Sequence, residues 1–234
     1  MDGDGQPAAQ HAVSARFGDL GRDGAPCRLG IFGGTFDPIH AGHMAAAAAA
    51  QRVCGLDAVI FMPSGRPPFK QGSVVASPEQ RLAMCRLAIS EDGNPAFDVS
   101  DLEVRAQGVA YTIDTLRALR AHYPRNVELV FILGADALLT LLDWRAPDDL
   151  KGIASFVALS RPGYQLDDAT RARLREAGFD VTELDETAVE ASSSDVRNRL
   201  ARGLPVEGCV PRAVRGYIDD QGLYQGPEMG KEAR

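Results

Sequence analysis

Two histidines, His40 and His43, carry the clearest chemical signal in the sequence. They lie in the segment GGTFDPIHAGH (residues 33–43), and a spacing of three residues places both rings on one face of a helical turn. Gly42 stands between them, and its lack of a side chain leaves a path for a large anion such as a phosphate. The segment therefore predicts an anion site with two imidazoles directed into it.

The residues before the histidines favour the same chemistry. Glycines allow a tight turn and close approach of a ligand to the backbone, the next amides can donate to an anion, and the following helix offers the positive end of its dipole. These residues are Gly33, Gly34, Thr35 and Phe36. The segment has neither the GK[ST] ending of a Walker A loop nor the GxGxxG spacing of a dinucleotide fingerprint. A zinc site would need a third ligand at a suitable spacing, and two structural histidines are the other alternative.

Short apolar runs that alternate with helical stretches must position this site. The predicted strands cover residues 29–32, 58–62, 97–103, 127–133, 156–159 and 179–184. The predicted helices cover 44–53, a segment that begins at Pro78 after an N-cap at Ser77, and 112–122, 136–142, 167–177, 194–202 and 211–220. Such alternation is typical of an α/β fold with a doubly wound, mostly parallel sheet and helices on both faces. Ligands bind at the carboxyl ends of these strands, and the histidine segment follows the first strand.

Composition and charge limit the function classes. The 25 Lys and Arg against 32 Asp and Glu give a net charge of −7, which argues against broad nucleic-acid binding. No apolar run is long enough to span a membrane. Four separated cysteines predict free thiols and the N-terminus shows no secretory signal, so we expect a cytoplasmic protein. We expect a disordered extension over residues 1–26, one domain over 27–224 and a flexible tail over 225–234.

Several motifs together resemble the bacterial nicotinate-nucleotide adenylyltransferase family of the nucleotidylyltransferase superfamily. GGTFDPIHAGH is similar to the (H/T)xGH signature, and the resemblance extends over residues 28–224 and implies a Rossmann-like nucleotidylyltransferase fold. The further matching segments are MPSGRPPFK (62–70), AYTIDTL (110–116), GAD (134–136), SRPGY (160–164) and SSSDVR (192–197). Phe69 stands where the family usually has histidine and cannot donate to phosphate, whereas Lys70 keeps its charge.

The resemblance implies a reaction and a role for each matched residue. ATP and nicotinate mononucleotide would give deamido-NAD and pyrophosphate, with the substrate 5′-phosphate attacking the α-phosphorus in line and no covalent enzyme intermediate. The implied catalytic residues are His40, His43, Lys70 and Arg197. The implied ATP and phosphate contacts are Gly33, Gly34, Thr35, Phe36, Arg161, Ser193 and Ser194. The implied nicotinate-nucleotide contacts are Tyr111, Thr112, Asp136, Trp144 and Arg145. Mg²⁺ would be carried mainly by the ATP phosphates.

Other interpretations of these residues stay open from the sequence alone. Asp136 is equally suited to cap a helix, Trp144 to fill a core, and the serines at 192–194 to begin a surface helix. The segment 62–70 also fits an ordinary surface loop. The alternative functions are a phosphopantetheine adenylyltransferase, an adenylyltransferase that prefers the amidated nucleotide, and a nucleotide sensor with an inactive site.

Overall fold

A six-stranded parallel sheet forms the centre of the protein. The structure is a computed structural model, and it describes residues 13–66, 74–106, 108–160, 166–184 and 191–226. The strands are β1 (Cys27–Gly34), β2 (Ala58–Pro63), β3 (Phe97–Val99), β4 (Val127–Gly134), β5 (Ser155–Leu159) and β6 (Val181–Leu184). They are ordered β3-β2-β1-β4-β5-β6, and every pairing between them is parallel. The order reverses between β1 and β4, which is where sheets of this type bind ligands.

Helices cover both faces of this sheet, as the sequence predicts. They are α1 (Ala41–Cys54), α2 (Pro78–Asp92), α3 (Leu102–Arg105), α4 (Thr112–His122), α5 (Ala135–Leu138), α6 (Pro147–Lys151), α7 (Asp168–Glu176), α8 (Ser193–Ala201) and α9 (Arg212–Asp220). Two hydrophobic clusters lie on opposite faces, because successive strand residues point in opposite directions. In β1, Ile31 joins the cluster with α4, whereas Phe32 joins the cluster with α1, α2 and α9.

Local sequence explains the two helices that flank the histidine segment. Small side chains let α1 lie close to the sheet, and four of its alanines are buried: Ala46, Ala47, Ala49 and Ala50. In α2, Ser77 is the N-cap, Pro78 occupies the first turn, and Ser77 and Gln80 form the predicted capping box. Gly203 follows α8 and Gly222 follows α9 with positive φ angles of 65° and 60°, as expected of glycines at helix ends.

Two predicted elements are wrong in extent. The strand expected over 97–103 ends at Val99, because β3 is an edge strand that pairs with β2 over three residues. The Ser100 hydroxyl then accepts the Leu102 amide at 3.2 Å and begins the short helix α3. The helix expected over 136–142 is divided into α5 and a 3₁₀ helix (Leu141–Asp143), which places Trp144 at the end of a turn.

Residues 13–26 pack against the domain, although they fall within the segment expected to be disordered. Val13 is buried, and the Ser14 hydroxyl donates to the Asp98 carboxylate. His122 Nε2 donates to the Gly18 carbonyl at 2.9 Å. All four cysteines are free thiols, as predicted. No helix among the described residues has both the length and the apolar character to cross a membrane.

Candidate active site

A cleft of about 1420 Å³ opens at the carboxyl ends of β1 and β4. It brings together fourteen of the sequence-predicted site residues: Gly33, Gly34, Thr35, Phe36, His40, His43, Tyr111, Thr112, Asp136, Trp144, Arg145, Ser193, Ser194 and Arg197. Lys70 and Arg161 lie outside the described residues. Residues up to 164 positions apart in the chain thus share one cavity, because the parallel topology gathers the loops after several strands at one edge.

The two histidines form a stacked pair at the start of α1. Their ring centroids are 3.6 Å apart with an interplanar angle of 26°. His40 is 2% exposed, whereas His43 is partly exposed to the cleft. The His40 amide donates to Nδ1 of His43 at 3.2 Å, so the Nδ1 lone pair is used and the ring proton of neutral His43 lies on Nε2. Backbone geometry therefore makes His43 a hydrogen-bond donor through Nε2.

Gly42 makes room for the His40 ring, which corrects the expectation that it leaves a path for phosphate. A Cβ at position 42 would lie 3.1 Å from both Cε1 and Nδ1 of His40 and 3.4 Å from the Ala191 carbonyl. Gly34 has the same function beside Phe36, whose Cζ would be 2.7 Å from a Cβ at position 34. At both positions an aromatic ring occupies the space that a side chain would need, so a glycine is required there.

Phe36 adopts a backbone conformation that bulky residues rarely adopt. Its φ is 52°, in the left-handed region, while its ring is buried and packs edge-on against Phe32 and His43. The amides of Thr35 and Phe36 donate to no other described residue. Both residues line the cleft, so these amides are available to an anion, as the sequence suggests.

The N-terminus of α8 lines the cleft beside the loop that carries the histidines. Ser192 is the N-cap, and its hydroxyl accepts the Asp195 amide at 3.0 Å. The Ser193 hydroxyl donates to the Pro38 carbonyl at 3.0 Å, which fixes α8 against the loop that carries the histidines. Arg197 donates to the Asp37 carbonyl at 2.7 Å and to the Ser194 hydroxyl at 3.3 Å. Its fork of donors and the helix dipole together place positive potential at this end.

Asp37 lines the cleft, although the sequence reasoning did not single it out. Its carboxylate is buried and accepts three hydrogen bonds, from the amides of Val75 (2.8 Å) and Ala76 (3.0 Å) and from the Tyr224 hydroxyl (2.7 Å). Arg197 Nη1 lies 3.9 Å from the same carboxylate. The one signal in the sequence is its position inside the GGTFDPIHAGH segment, since its partners are remote in the chain.

Arg81 is a second residue that only the structure identifies. Although it is 1% exposed, its guanidinium is surrounded by backbone carbonyls rather than by a carboxylate. The acceptors are Thr35 (2.6 Å), Ser64 (2.6 Å), Gly65 (3.0 Å) and Ala76 (3.3 Å). Burial lowers the pKa of Arg81, and the nearby charge of Asp37 opposes that effect. Arg81 therefore joins the loops that follow β1 and β2.

Aromatic and charged side chains line the opposite end of the cleft. Trp144 is partly exposed; its ring meets Phe131 edge-on at 6.3 Å, and its Nε1 donates to the Thr140 hydroxyl at 3.1 Å. It is therefore a wall of the cleft rather than a fully buried core residue. Arg145 lies 4.9 Å above the Tyr111 ring and 3.4 Å from the Asp114 carboxylate. A flat indole and a stacked guanidinium suit an aromatic ring that bears an anionic group.

Asp136 does not cap a helix, which removes one of its two open interpretations. Gly134 is the N-cap of α5, and no side chain there makes a capping bond. The Asp136 carboxylate folds back over Gly134, where any Cβ would collide with it. This carboxylate is exposed to the cleft and can accept from a ligand hydroxyl.

Glu103 is a third site residue that the sequence reasoning missed. It lines the cleft near Tyr111, and its carboxylate accepts the Thr115 hydroxyl at 2.7 Å. Desolvation raises the pKa of Glu103 to about 7, and the Thr115 hydrogen bond and Arg81 oppose the shift. Glu103 lies in the short helix α3, which the sequence assigned to a strand, so no pattern indicated its direction.

Comparisons with known proteins agree with this geometry. The family model described as Cytidylyltransferase-like matches residues 31–199. A "Probable nicotinate-nucleotide adenylyltransferase" of Thermus thermophilus is 46% identical over 198 residues, which are 85% of this chain and 100% of the relative. The protein of the same name from Desulfitobacterium hafniense is 41% identical over 207 residues, which are 86% and 97% of the two chains. Plasmodium falciparum nicotinic acid mononucleotide adenylyltransferase, solved in complex with NaAD, has a similar fold, with a TM-score of 0.72, 18% identity and coverage of 85% of this chain and 97% of that one.

Proposed function

The chain belongs to the nicotinate-nucleotide adenylyltransferase family of cytidylyltransferase-like proteins, and on that premise we propose that the cleft joins ATP to nicotinate mononucleotide by in-line attack. The enzyme transfers the adenylyl group of ATP to nicotinate mononucleotide, giving deamido-NAD and pyrophosphate in NAD biosynthesis. The 5′-phosphate of the mononucleotide is the nucleophile, the α-phosphorus of ATP is attacked, and pyrophosphate leaves. Catalysis then consists of positioning and charge stabilisation, because a phosphate oxygen is already anionic and needs no base.

The stacked histidines are the observation that carries this proposal. Nε2 of His43 donates to the phosphates as negative charge moves onto the leaving pyrophosphate, and His40 supports the pair from its buried position. The amides of Thr35 and Phe36 hold the transferring phosphoryl group. Arg197 and the α8 amides at Ser193 and Ser194 hold the β- and γ-phosphates. By resemblance, Lys70 contributes to the same end and Arg161 lies near the adenine.

The nicotinate nucleotide occupies the end of the cleft that contains Trp144. Its pyridinium ring stacks on the indole, and its carboxylate meets the amides at the N-terminus of α4, which begins at Thr112. Arg145, held over Tyr111, adds positive charge toward that carboxylate. Asp136 accepts from the ribose hydroxyls. A carboxylate and a neutral amide differ by one charge, so this end decides the preference for the acid over the amide.

Mg²⁺ enters with ATP and is carried mainly by the ATP phosphates. Among the described residues, no three His, Cys, Asp or Glu side chains are grouped so that they would hold a metal ion. Mg²⁺ usually keeps several waters and binds substrate phosphates, where it neutralises their charge. We further propose that residues 27–224 form the catalytic domain and that the protein acts in the cytoplasm.

The proposed site is tested by pyrophosphate release with ATP and Mg²⁺. Nicotinate mononucleotide, its amide and phosphopantetheine are compared side by side with the wild-type protein and with His43→Ala. We expect release with nicotinate mononucleotide and a loss of about 10²- to 10³-fold in turnover for His43→Ala, as is typical for one removed transition-state donor. His122→Ala is the matched control, since His122 lies outside the cleft and contacts Gly18. ATP binding without pyrophosphate release would instead indicate a nucleotide sensor.

A further inference from the structure

Tyr224 is held in an unusual conformation beyond the last helix. Its φ is 61°, in the left-handed region that aromatic residues rarely adopt, and it follows Gly222 at φ 60°. The side chain is buried, and its hydroxyl donates to Oδ1 of Asp37 at 2.7 Å across 187 positions of sequence. Burial and this contact raise the pKa of the Tyr224 phenol above its ordinary value, so it stays a neutral donor. Tyr224 is not among the residues that line the cleft.

Asp37 is where this contact meets the catalytic machinery. Its carboxylate accepts the amides of Val75 and Ala76 as well as the Tyr224 hydroxyl. Among the described residues, Tyr224 is the one side chain that forms a hydrogen bond to this carboxylate, since Arg197 stays 3.9 Å away. Arg197 donates instead to the backbone carbonyl of Asp37 at 2.7 Å.

We propose that Tyr224 is a positioning residue for catalysis, which holds Oδ1 of the Asp37 carboxylate and thereby keeps the Arg197 guanidinium, which faces Oδ2, directed to the ATP phosphates. The inference rests on the proposed role of Arg197. Buried polar groups are hydrogen-bonded in folded proteins, so a carboxylate that loses the Tyr224 hydroxyl is expected to rotate toward another donor. The Arg197 guanidinium lies within reach, 3.9 Å from Oδ2, and can close to a direct, bidentate pair. Its donors would then be withdrawn from the β- and γ-phosphates.

The amides of Val75 and Ala76 extend the consequence to a second loop. The Ala76 carbonyl accepts from Arg81, and the Ala76 amide donates to Asp37, so this residue contacts two buried charged side chains. A rotation of the Asp37 carboxylate toward Arg197 would weaken its bonds to these amides. Both effects act on the phosphate end of the cleft, whereas the Trp144 end makes no described contact with Asp37 or Tyr224.

Tyr224→Phe tests the proposal because it removes the hydroxyl and keeps the ring. We expect kcat/KM for ATP to fall about tenfold, the effect of losing one charge-assisted hydrogen bond, chiefly through a higher KM for ATP. The Kd of nicotinate mononucleotide, measured by fluorescence of the single tryptophan Trp144, should change less than about twofold. A merely structural role would instead change both substrates alike or leave both unchanged.

Tyr123→Phe is the matched control. Tyr123 is also a buried tyrosine, but it lies in the cluster on the other face of the sheet, and its hydroxyl has no hydrogen-bond partner in the described part of the chain. We expect its kinetics to match wild type. A Tyr224→Phe protein that is folded and keeps kcat/KM for ATP within twofold of wild type overturns the proposal, as does an equal rise in KM for both substrates.

Arg197→Lys separates the proposal from the function on which it rests. If Arg197→Lys has wild-type kinetics, the assignment of Arg197 to the phosphates fails. If Arg197→Lys loses activity and Tyr224→Phe does not, the role of Tyr224 alone fails. If both lose activity, the double variant should lose little more than Arg197→Lys, because Tyr224 acts through that guanidinium.

Discussion

Replacement of Arg81 by lysine should destabilise the fold far more than an ordinary exchange of one cation for another. The guanidinium donates to four carbonyls in three separate segments, at Thr35, at Ser64 and Gly65, and at Ala76. A lysine ammonium is a point donor on a flexible stem and does not reproduce this planar fork. At least two of the carbonyls around this buried side chain would lose their donor.

The magnitude follows from the number of bonds lost. Hydrogen bonds to a charged group contribute about 1.5–3 kcal/mol each, so the loss of two costs about 3–6 kcal/mol. The whole free energy of unfolding of a protein is only about 5–15 kcal/mol. Urea unfolding, followed by circular dichroism and by Trp144 fluorescence, should show the midpoint lowered by about 1–3 M with an unchanged slope.

Arg86→Lys supplies the control on the same helix. Arg86 is exposed and makes one ion pair, at 3.4 Å to Asp101. Its replacement should change the free energy of unfolding by less than about 0.5 kcal/mol. If Arg81→Lys costs less than about 1 kcal/mol in the same experiment, the four carbonyl contacts are not what holds these loops, and the reasoning is wrong.

Three further outcomes follow from single contacts in the cleft. The fold raises the pKa of Glu103 from 4.5 to about 7, so its contribution to stability is present below pH 4.5 and is lost as the pH rises through 7. The free energy of unfolding of Glu103→Gln should therefore rise by about 1–3 kcal/mol relative to wild type between pH 5 and pH 8, as measured by thermal unfolding. Parallel plots of stability against pH for the two proteins would contradict this. Gly42→Ala should lower kcat about tenfold, because the added Cβ displaces the His40 ring. Its melting temperature should stay equal or rise, since alanine favours the helix. An unchanged kcat would show that displacement of the ring does not affect catalysis. Trp144→Ala should raise KM for nicotinate mononucleotide about tenfold or more and leave KM for ATP unchanged, and equal rises in both would refute stacking on the nicotinate ring.

Patterns within a few residues of one another predicted most of the architecture. Helix α4 spans Thr112–His122 as predicted, and the cap at Ser77 and the glycines after α8 and α9 act as their types suggest. The boundaries that failed were those where a neighbour decides the outcome. β3 stops at Val99 although β2 continues to Pro63, because the chain turns away into α3, and the apolar run itself does not encode this turn.

The candidate site divides in the same way. The histidine pair was singled out from its spacing, and Trp144 and the α8 serines from the family resemblance; the structure places all of them in one cleft. Gly42 was found but misinterpreted, because the need for a glycine is visible in sequence whereas the atom that fills the space is not. Asp37, Arg81 and Glu103 lacked a local signal, since their roles arise from partners elsewhere in the chain.

The sequence by itself determined the α/β class, the sheet edge at which the site lies and the chemistry of its side chains, because periodicity, capping and motif spacing are properties of short segments. Only the tertiary structure decided which buried charges hold those side chains in place. The Tyr224 hydroxyl reaches Asp37 across 187 residues, and Arg81 joins the loops that follow β1 and β2. Contacts at such separations depend on how the whole chain packs, and no local preference of the residues involved specifies them.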